Sequence, residues 1–130
     1  MIQFHLDTRS GVSPYMQIVQ QVRQALRIGL MSEGDQLPTV KEVVSLLAIN
    51  PNTVLKAYRE LEHEGLAGGR PGVGTFITAS PNGESLAAQV PLRRDLERWL
   101  AKARLAGLEE ESIEALFRDT FRSARDRDIA

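Results

Sequence analysis

The sequence predicts a mostly helical chain with one small β-hairpin, and three features predict it. Two short helical patterns lie within residues 39–66, with only Leu47 to Ile49 between them. A glycine-rich stretch, AGGRPGVGTFITA, follows directly and ends in β-branched and aromatic residues. Beyond Ala79 two further amphipathic stretches carry apolar stripes at helical spacing.

Taken in order, Ile2, Phe4 and Leu6 alternate with polar neighbours and predict a short strand that either joins the hairpin sheet or packs on the next helix. His5 falls at an outward position there. Ser13-Pro14 is a helix start, and Ile18, Val22, Ala25, Leu26 and Leu30 carry a core stripe to about Leu30. Gln17, Gln20, Gln21, Arg23, Gln24 and Arg27 fill the other faces, with the arginines solvated. Ser32 to Gln36 then reads as a turn.

Thr39 and Glu42 form an S/T-x-x-E capping box, so a helix begins at about Val40, with Val40, Val43, Val44 and Leu47 on one face. Asn50 and Pro51 start the next helix, one supplying a capping oxygen and the other a ring already at helical φ. Val54, Ala57, Tyr58 and Leu61 are its buried side; Asn52, Thr53, Lys56, Arg59 and His63 lie largely opposite. Two helices joined so briefly are a helix-turn-helix. Short hydrogen-bonding groups in the first turn of the second helix, with a lysine one turn on, suit base edges and phosphates in a major groove.

Gly65 and Leu66 end that helix. Thr75 to Thr78 is strand-like, and Arg70-Pro71-Gly72 is a turn carrying one cation at the hairpin tip. A slim basic hairpin after a recognition-type helix is a wing, so the fold class is a winged helix-turn-helix over residues 1–79. Ser80-Pro81-Asn82-Gly83 marks the boundary to a helical segment, residues 80–130. Its first helix carries Leu86, Val90, Leu92, Leu96, Trp99, Leu100 and Ala103, with a kink or restart expected at Pro91. Its second starts near Glu109, where Glu109, Glu110 and Glu111 favour the positive end of the helix dipole. Ile113, Leu116, Phe117, Thr120, Phe121 and Ala124 form its stripe, and Asp126 to Ala130 is expected to fray. Two such helices cannot bury Trp99, Leu100, Phe117 and Phe121 against each other alone.

Composition narrows the class. The 130 residues are 42% hydrophobic and 25% charged, as in soluble globular proteins. No apolar run approaches the ~20 residues that cross a bilayer, no signal-peptide pattern opens the chain, and a cytoplasmic protein is expected. The chain has no cysteine, which excludes disulfides, thiolate catalysis and cysteine-based zinc sites. No catalytic triad order, histidine cluster or phosphate-cradling glycine loop points to an enzyme, and no residue pattern calls for a metal or cofactor. Net charge is −1, and between Pro38 and Gly74 four cations, Lys41, Lys56, Arg59 and Arg70, face four glutamates. That balance predicts modest affinity for DNA per monomer.

Residues Ser13 to Ile77 resemble the DNA-binding domain of the GntR family of bacterial transcription regulators. The matching residues are Pro14-Tyr15 with Ile18, Gly34-Asp35-x-Leu37-Pro38-Thr39, Asn50 to Thr53, Ala57-Tyr58, Glu60-Leu61-Glu62, Glu64-Gly65-Leu66 and Gly72-x-Gly74-Thr75-Phe76. The run NPNTVLKAY and the short chain after the wing look most like the YtrA-type subfamily. The resemblance implies a sequence-specific repressor that binds a palindromic operator as a homodimer, in an operon for an ABC-type transporter. It implies DNA contacts from Thr39, Lys41, Asn50, Asn52, Thr53, Lys56, Arg70 and Gly72, with the Tyr58 hydroxyl within reach of a phosphate. It also implies a dimer interface that includes Leu92, Leu96, Trp99, Phe117 and Phe121. Relatives carry arginine where Lys41 stands, and further cations where Pro71 and Val73 stand, so a weaker wing is expected. The competing function is a winged-helix module for protein–protein contact. It would replace the polar first turn and Lys56 with apolar residues. No effector is specified by the sequence.

Overall fold

In the computed structural model the elements run α1 (Pro14–Arg27), α2 (Val40–Leu47), α3 (Pro51–His63), β1 (Ala67–Arg70), β2 (Gly74–Ile77), α4 (Leu86–Leu105) and α5 (Glu110–Ile129). The structure describes residues 2–80 and 86–129. Most of the expected break at Ser80-Pro81-Asn82-Gly83, and the last residue of the expected frayed end, lie outside the described residues. The chain divides into two compact units, Met1–Leu86 and Ala87–Ala130.

The first unit has one apolar core. Ile18, Val19 and Val22 of α1, Val43 of α2, Val54, Ala57 and Leu61 of α3, and Ile77 of β2 are all at most 2% exposed. The capping box of α2 is formed: Thr39 Oγ1 accepts the Glu42 N–H at 3.1 Å, and Glu42 Oε1 accepts the Thr39 N–H at 3.4 Å. Asn50 caps α3, its Oδ1 accepting the Asn52 N–H at 2.8 Å. Between these helices Ala48 stands alone among the described non-glycine residues at positive φ, 53° with ψ 46°.

Three helices end the same way. After α1, α3 and α4 the chain turns through Gly29, Gly65 and Gly107, at φ 78°, 78° and 87°. The next N–H reaches back five residues: Leu30 to the Ala25 carbonyl, Leu66 to Leu61 and Leu108 to Ala103. Such a reversal needs a left-handed residue, which glycine adopts without a Cβ clash. It also corrects the extent of α1. The apolar spacing pointed on to Leu30, but Gly29 ends the helix, leaves Leu30 70% exposed and turns Met31 into the core.

The wing is a two-stranded antiparallel sheet pairing Ala67 with Ile77 and Arg70 with Gly74. Its turn closes with the Val73 N–H on the Arg70 carbonyl at 3.0 Å, Pro71 at the first corner and Gly72 at φ 74° at the second. Ser32 to Gln36 turns as expected, the Asp35 N–H bonding the Ser32 carbonyl at 3.1 Å, and residues 34–37 also run along β2. The Gly34 and Leu37 N–H groups bond the Ile77 and Thr75 carbonyls at 2.9 Å, and the Ile77 N–H bonds Asp35 O at 2.8 Å.

The expected strand at Ile2 to Leu6 does not form. Phe4 is buried in the core as its alternation required, but the backbone partner is a side chain: the Gln21 amide accepts the His5 N–H at 3.1 Å and donates to the His5 carbonyl at 2.7 Å. Gln17, expected on a solvated face, is 8% exposed. Its Oε1 accepts the Asp7 N–H at 2.8 Å, and its Nε2 donates to the Asp7 and Val12 carbonyls at 3.0 and 2.9 Å. Arg23 is also not free: it makes a two-pronged bond to the Glu64 carboxylate at the end of α3.

In the second unit α4 runs through Pro91 without a restart. Pro91 lies in the second turn, where it supplies no N–H to the Ala87 carbonyl and its ring crowds that same carbonyl. The end of α5 stays helical to Ile129 rather than fraying from Asp126. Glu109 opens α5, its carbonyl accepting the Ile113 N–H at 2.9 Å, and Arg104 pairs with Glu110 across the turn at 3.0 Å. Among the described residues, Ala103 and Ile113 are the buried apolar ones of this unit. Trp99 meets Phe117 at 6.4 Å between centroids, and Phe117 stacks on Phe121 at 6.2 Å. Leu92, Leu96, Phe117 and Phe121 remain 42–65% exposed.

Candidate nucleic-acid interface

The first turn of α3 is built as its sequence requires. With Val54, Ala57, Tyr58 and Leu61 held in the core, the helix turns Asn52, Lys56, Arg59 and His63 to solvent. Thr53 is only half exposed, so its hydroxyl sits at the edge of that face rather than on it. Asn50 spends its side-chain oxygen on the cap, while the residue itself stays exposed. Thr39 is committed further: besides accepting the Glu42 N–H, its hydroxyl donates to Glu42 Oε1 at 3.0 Å. Lys41 is exposed in the first turn of α2.

Lys56 is exposed, but its ammonium group has a neighbour. Its Nζ lies 4.0 Å from the centroid of the Tyr15 ring, at the start of α1. Arg70, at the end of β1, lies over the Phe76 ring with Cζ 4.4 Å from the centroid. Gly72 is exposed at the tip of the wing. Gln36 braces that tip, its amide donating to the Val73 carbonyl at 3.1 Å. Glu62 of α3 lines the same shallow hollow as Arg70, Pro71 and Gly72, so a carboxylate offsets part of the wing's positive field. Spacing gave no sign of Tyr15 in this role, since it stands 41 residues from the lysine it meets.

Tyr58 is fully occupied elsewhere. Its hydroxyl donates to the Pro38 carbonyl in the core, which ties α3 to the entry of α2. Burial pushes this phenol far above its ordinary range, with the Glu42 carboxylate adding to the rise. The expectation that it reaches a phosphate is therefore corrected: the same burial that makes the residue core removes its hydroxyl from solvent.

At the end of α3 the Arg23 hydrogen bond holds the Glu64 carboxyl below the usual carboxylate range. Among the described residues no cluster of His, Cys, Asp and Glu could hold a metal ion, and no helix is long and apolar enough to cross a membrane.

The comparisons with known proteins fit this geometry. Residues 14–77 match the family described as "Bacterial regulatory proteins, gntR family". The chain is 36% identical over 109 residues to the HTH-type transcriptional repressor YtrA of Bacillus subtilis (strain 168), across 83% of this chain and 84% of that one. It is 33% identical over 104 residues to the HTH-type transcriptional regulator Rv1152 of Mycobacterium tuberculosis (strain ATCC 25618 / H37Rv), across 79% and 81%. Among solved structures it is similar to YtrA from Sulfolobus acidocaldarius, a GntR-family transcription factor. The TM-score there is 0.53 at 31% identity, covering 75% of this chain and 97% of the other. The chain therefore belongs to the GntR family, as a YtrA-type, winged-helix DNA-binding transcription regulator and not an enzyme.

Proposed function

We propose that this regulator is a cytoplasmic repressor that binds a palindromic operator as a homodimer, and that the operon it controls encodes an ABC-type transporter, as the resemblance to YtrA-type proteins implies. The observation that carries the dimer is the uncovered face of the second unit. Phe121 is 62% exposed and Leu92 65%, and Phe121 stacks on Phe117, which in turn meets the tilted ring of Trp99. Side chains this large favour burial by roughly 1.5–3 kcal/mol each. A two-fold mate presenting the same face is the simplest cover, with Leu92, Leu96, Trp99, Phe117 and Phe121 in the contact. Two copies then offer two α3 helices to two half-sites.

On the DNA, Asn50, Asn52, Thr53 and Lys56 enter the major groove, Thr39 and Lys41 meet phosphate and base beside it, and Arg70 and Gly72 form the wing contact. The polar first turn of α3 and the exposure of Lys41, Lys56 and Arg70 support these roles.

Fluorescence anisotropy with DNA from upstream of the gene, in excess random competitor, tests the operator, and sedimentation equilibrium tests the stoichiometry. Saturable binding with two chains per duplex is expected. Asn52→Ala should relax sequence preference, losing roughly 1–3 kcal/mol per base contact. Phe117→Ser with Phe121→Ser should yield a folded monomer. A double variant that sediments as the wild type would refute the interface, and unaltered sequence preference in Asn52→Ala would refute the recognition face.

A further inference from the structure

Two of the cations assigned to DNA rest on aromatic faces, Lys56 on Tyr15 at 4.0 Å and Arg70 on Phe76 at 4.4 Å. The rings come from separate elements: Tyr15 is the second residue of α1, and Phe76 lies in β2, opposite Gly68 of β1. Both rings are half-buried, so each is held by the fold while its free face meets the cation. Arg23, Arg98, Arg104 and Arg118 are ion-paired, whereas among the described residues neither Lys56 nor Arg70 has a carboxylate partner. The charge of these two side chains therefore stays available, while their position is not left to solvent.

We propose that Tyr15 and Phe76 are positioning residues for DNA binding: their ring faces hold Lys56 and Arg70 where the phosphate backbone meets them, and so set affinity without touching the DNA. This inference rests on the assignment of Lys56 and Arg70 to DNA. Lysine and arginine are rotamer-rich, and binding normally costs them that freedom. A ring attracts the cation electrostatically and confines it beforehand. An ammonium seated on a ring keeps N–H donors on its outer side, so phosphate can approach without displacing it. In a domain whose residues 38–74 carry as many glutamates as cations, such confinement makes each remaining cation count for more.

A mutant cycle tests it in the full chain, using a duplex of random sequence at low salt so that the operator need not be known. Lys56→Met should weaken binding and lower the slope of log affinity against log salt by about one. Tyr15→Leu should weaken binding about two- to fivefold, the size of an exposed cation–π contact. Tyr15→Phe, which keeps the ring, should bind as the wild type. In the Lys56→Met background Tyr15→Leu should have no further effect. Unchanged affinity and slope in Lys56→Met would remove Lys56 from the DNA face, and the Tyr15 role with it. If Lys56→Met behaves as expected, three results overturn the positioning role alone: tighter or equal binding by Tyr15→Leu, the same loss in Tyr15→Phe, or a Tyr15→Leu loss that persists without Lys56. Should Tyr15→Leu not fold, as judged by circular dichroism, Phe76→Leu with Arg70→Met gives the same cycle on the wing.

Discussion

Gln17 ties the first dozen residues to α1, and its replacement by methionine isolates that function. Methionine matches glutamine closely in volume and helix propensity, so the helix and the packing survive while three hydrogen bonds are lost. Those bonds are the Asp7 N–H at 2.8 Å, the Asp7 carbonyl at 3.0 Å and the Val12 carbonyl at 2.9 Å. Each contributes about 0.5–1.5 kcal/mol net, so the loss should total roughly 2–4 kcal/mol. The lower end applies if residues 7–12 lift away and hydrate, since Asp7 is itself exposed. In a unit of this size 2 kcal/mol lowers the melting midpoint by roughly 8–16 °C. Urea titration followed by far-UV circular dichroism gives the energy, and hydrogen exchange at the Asp7 amide gives its location. DNA affinity at low temperature should hardly move, because no DNA-facing residue is altered. A stability loss under about 0.5 kcal/mol, the size of an ordinary surface substitution, would mean that Gln17 merely fills space.

Two further outcomes follow from single positions. Ala48→Gly should stabilise the first unit by about 0.5–1 kcal/mol, because the left-handed turn strains any Cβ by roughly 1–2 kcal/mol while glycine adds unfolded-state entropy. A melting point lowered by the substitution would refute that strain. Tyr58→Phe should lower stability at neutral pH by about 1 kcal/mol through the lost bond to Pro38. It should also flatten the alkaline limb. The raised folded-state pKa means the phenol's contribution is complete below the unfolded value of about 10 and is lost as pH rises above it. Denaturant midpoints measured from pH 8 to 11 check both, and an unchanged alkaline limb would exclude Tyr58 as its source.

How much of this was legible in the sequence depended on range. Thr39 with Glu42, Asn50 with Pro51, and Gly65 act within one helical turn, so spacing alone placed α2, α3 and the helix end. Val54, Ala57, Tyr58 and Leu61 declared the buried face by period, and the hairpin declared itself by its turn residues. What failed was whatever needed a partner far along the chain. Gln17 and Gln21 look like surface residues because their polarity is matched by backbone groups 5 to 16 residues earlier, outside their own helix. Arg23 finds Glu64 41 residues away. Leu30 continued an apolar period that Gly29 had already cut. At the interface, spacing singled out Lys56 and Arg70 but not the ring beneath Lys56.

The chain's single tryptophan, Trp99, sits half-buried against Phe117 on the uncovered face of the second unit. The first unit has no tryptophan at all. Indole emission is therefore an intrinsic optical label confined to one end of the molecule. Dilution that uncovers the ring should move its emission toward the red with no dye attached. Events at α3 and the wing are dark in this channel unless they are passed down the chain. A spectral change on adding duplex at constant protein concentration would thus be a direct signal that the two units communicate, and a silent spectrum would mark them as mechanically independent.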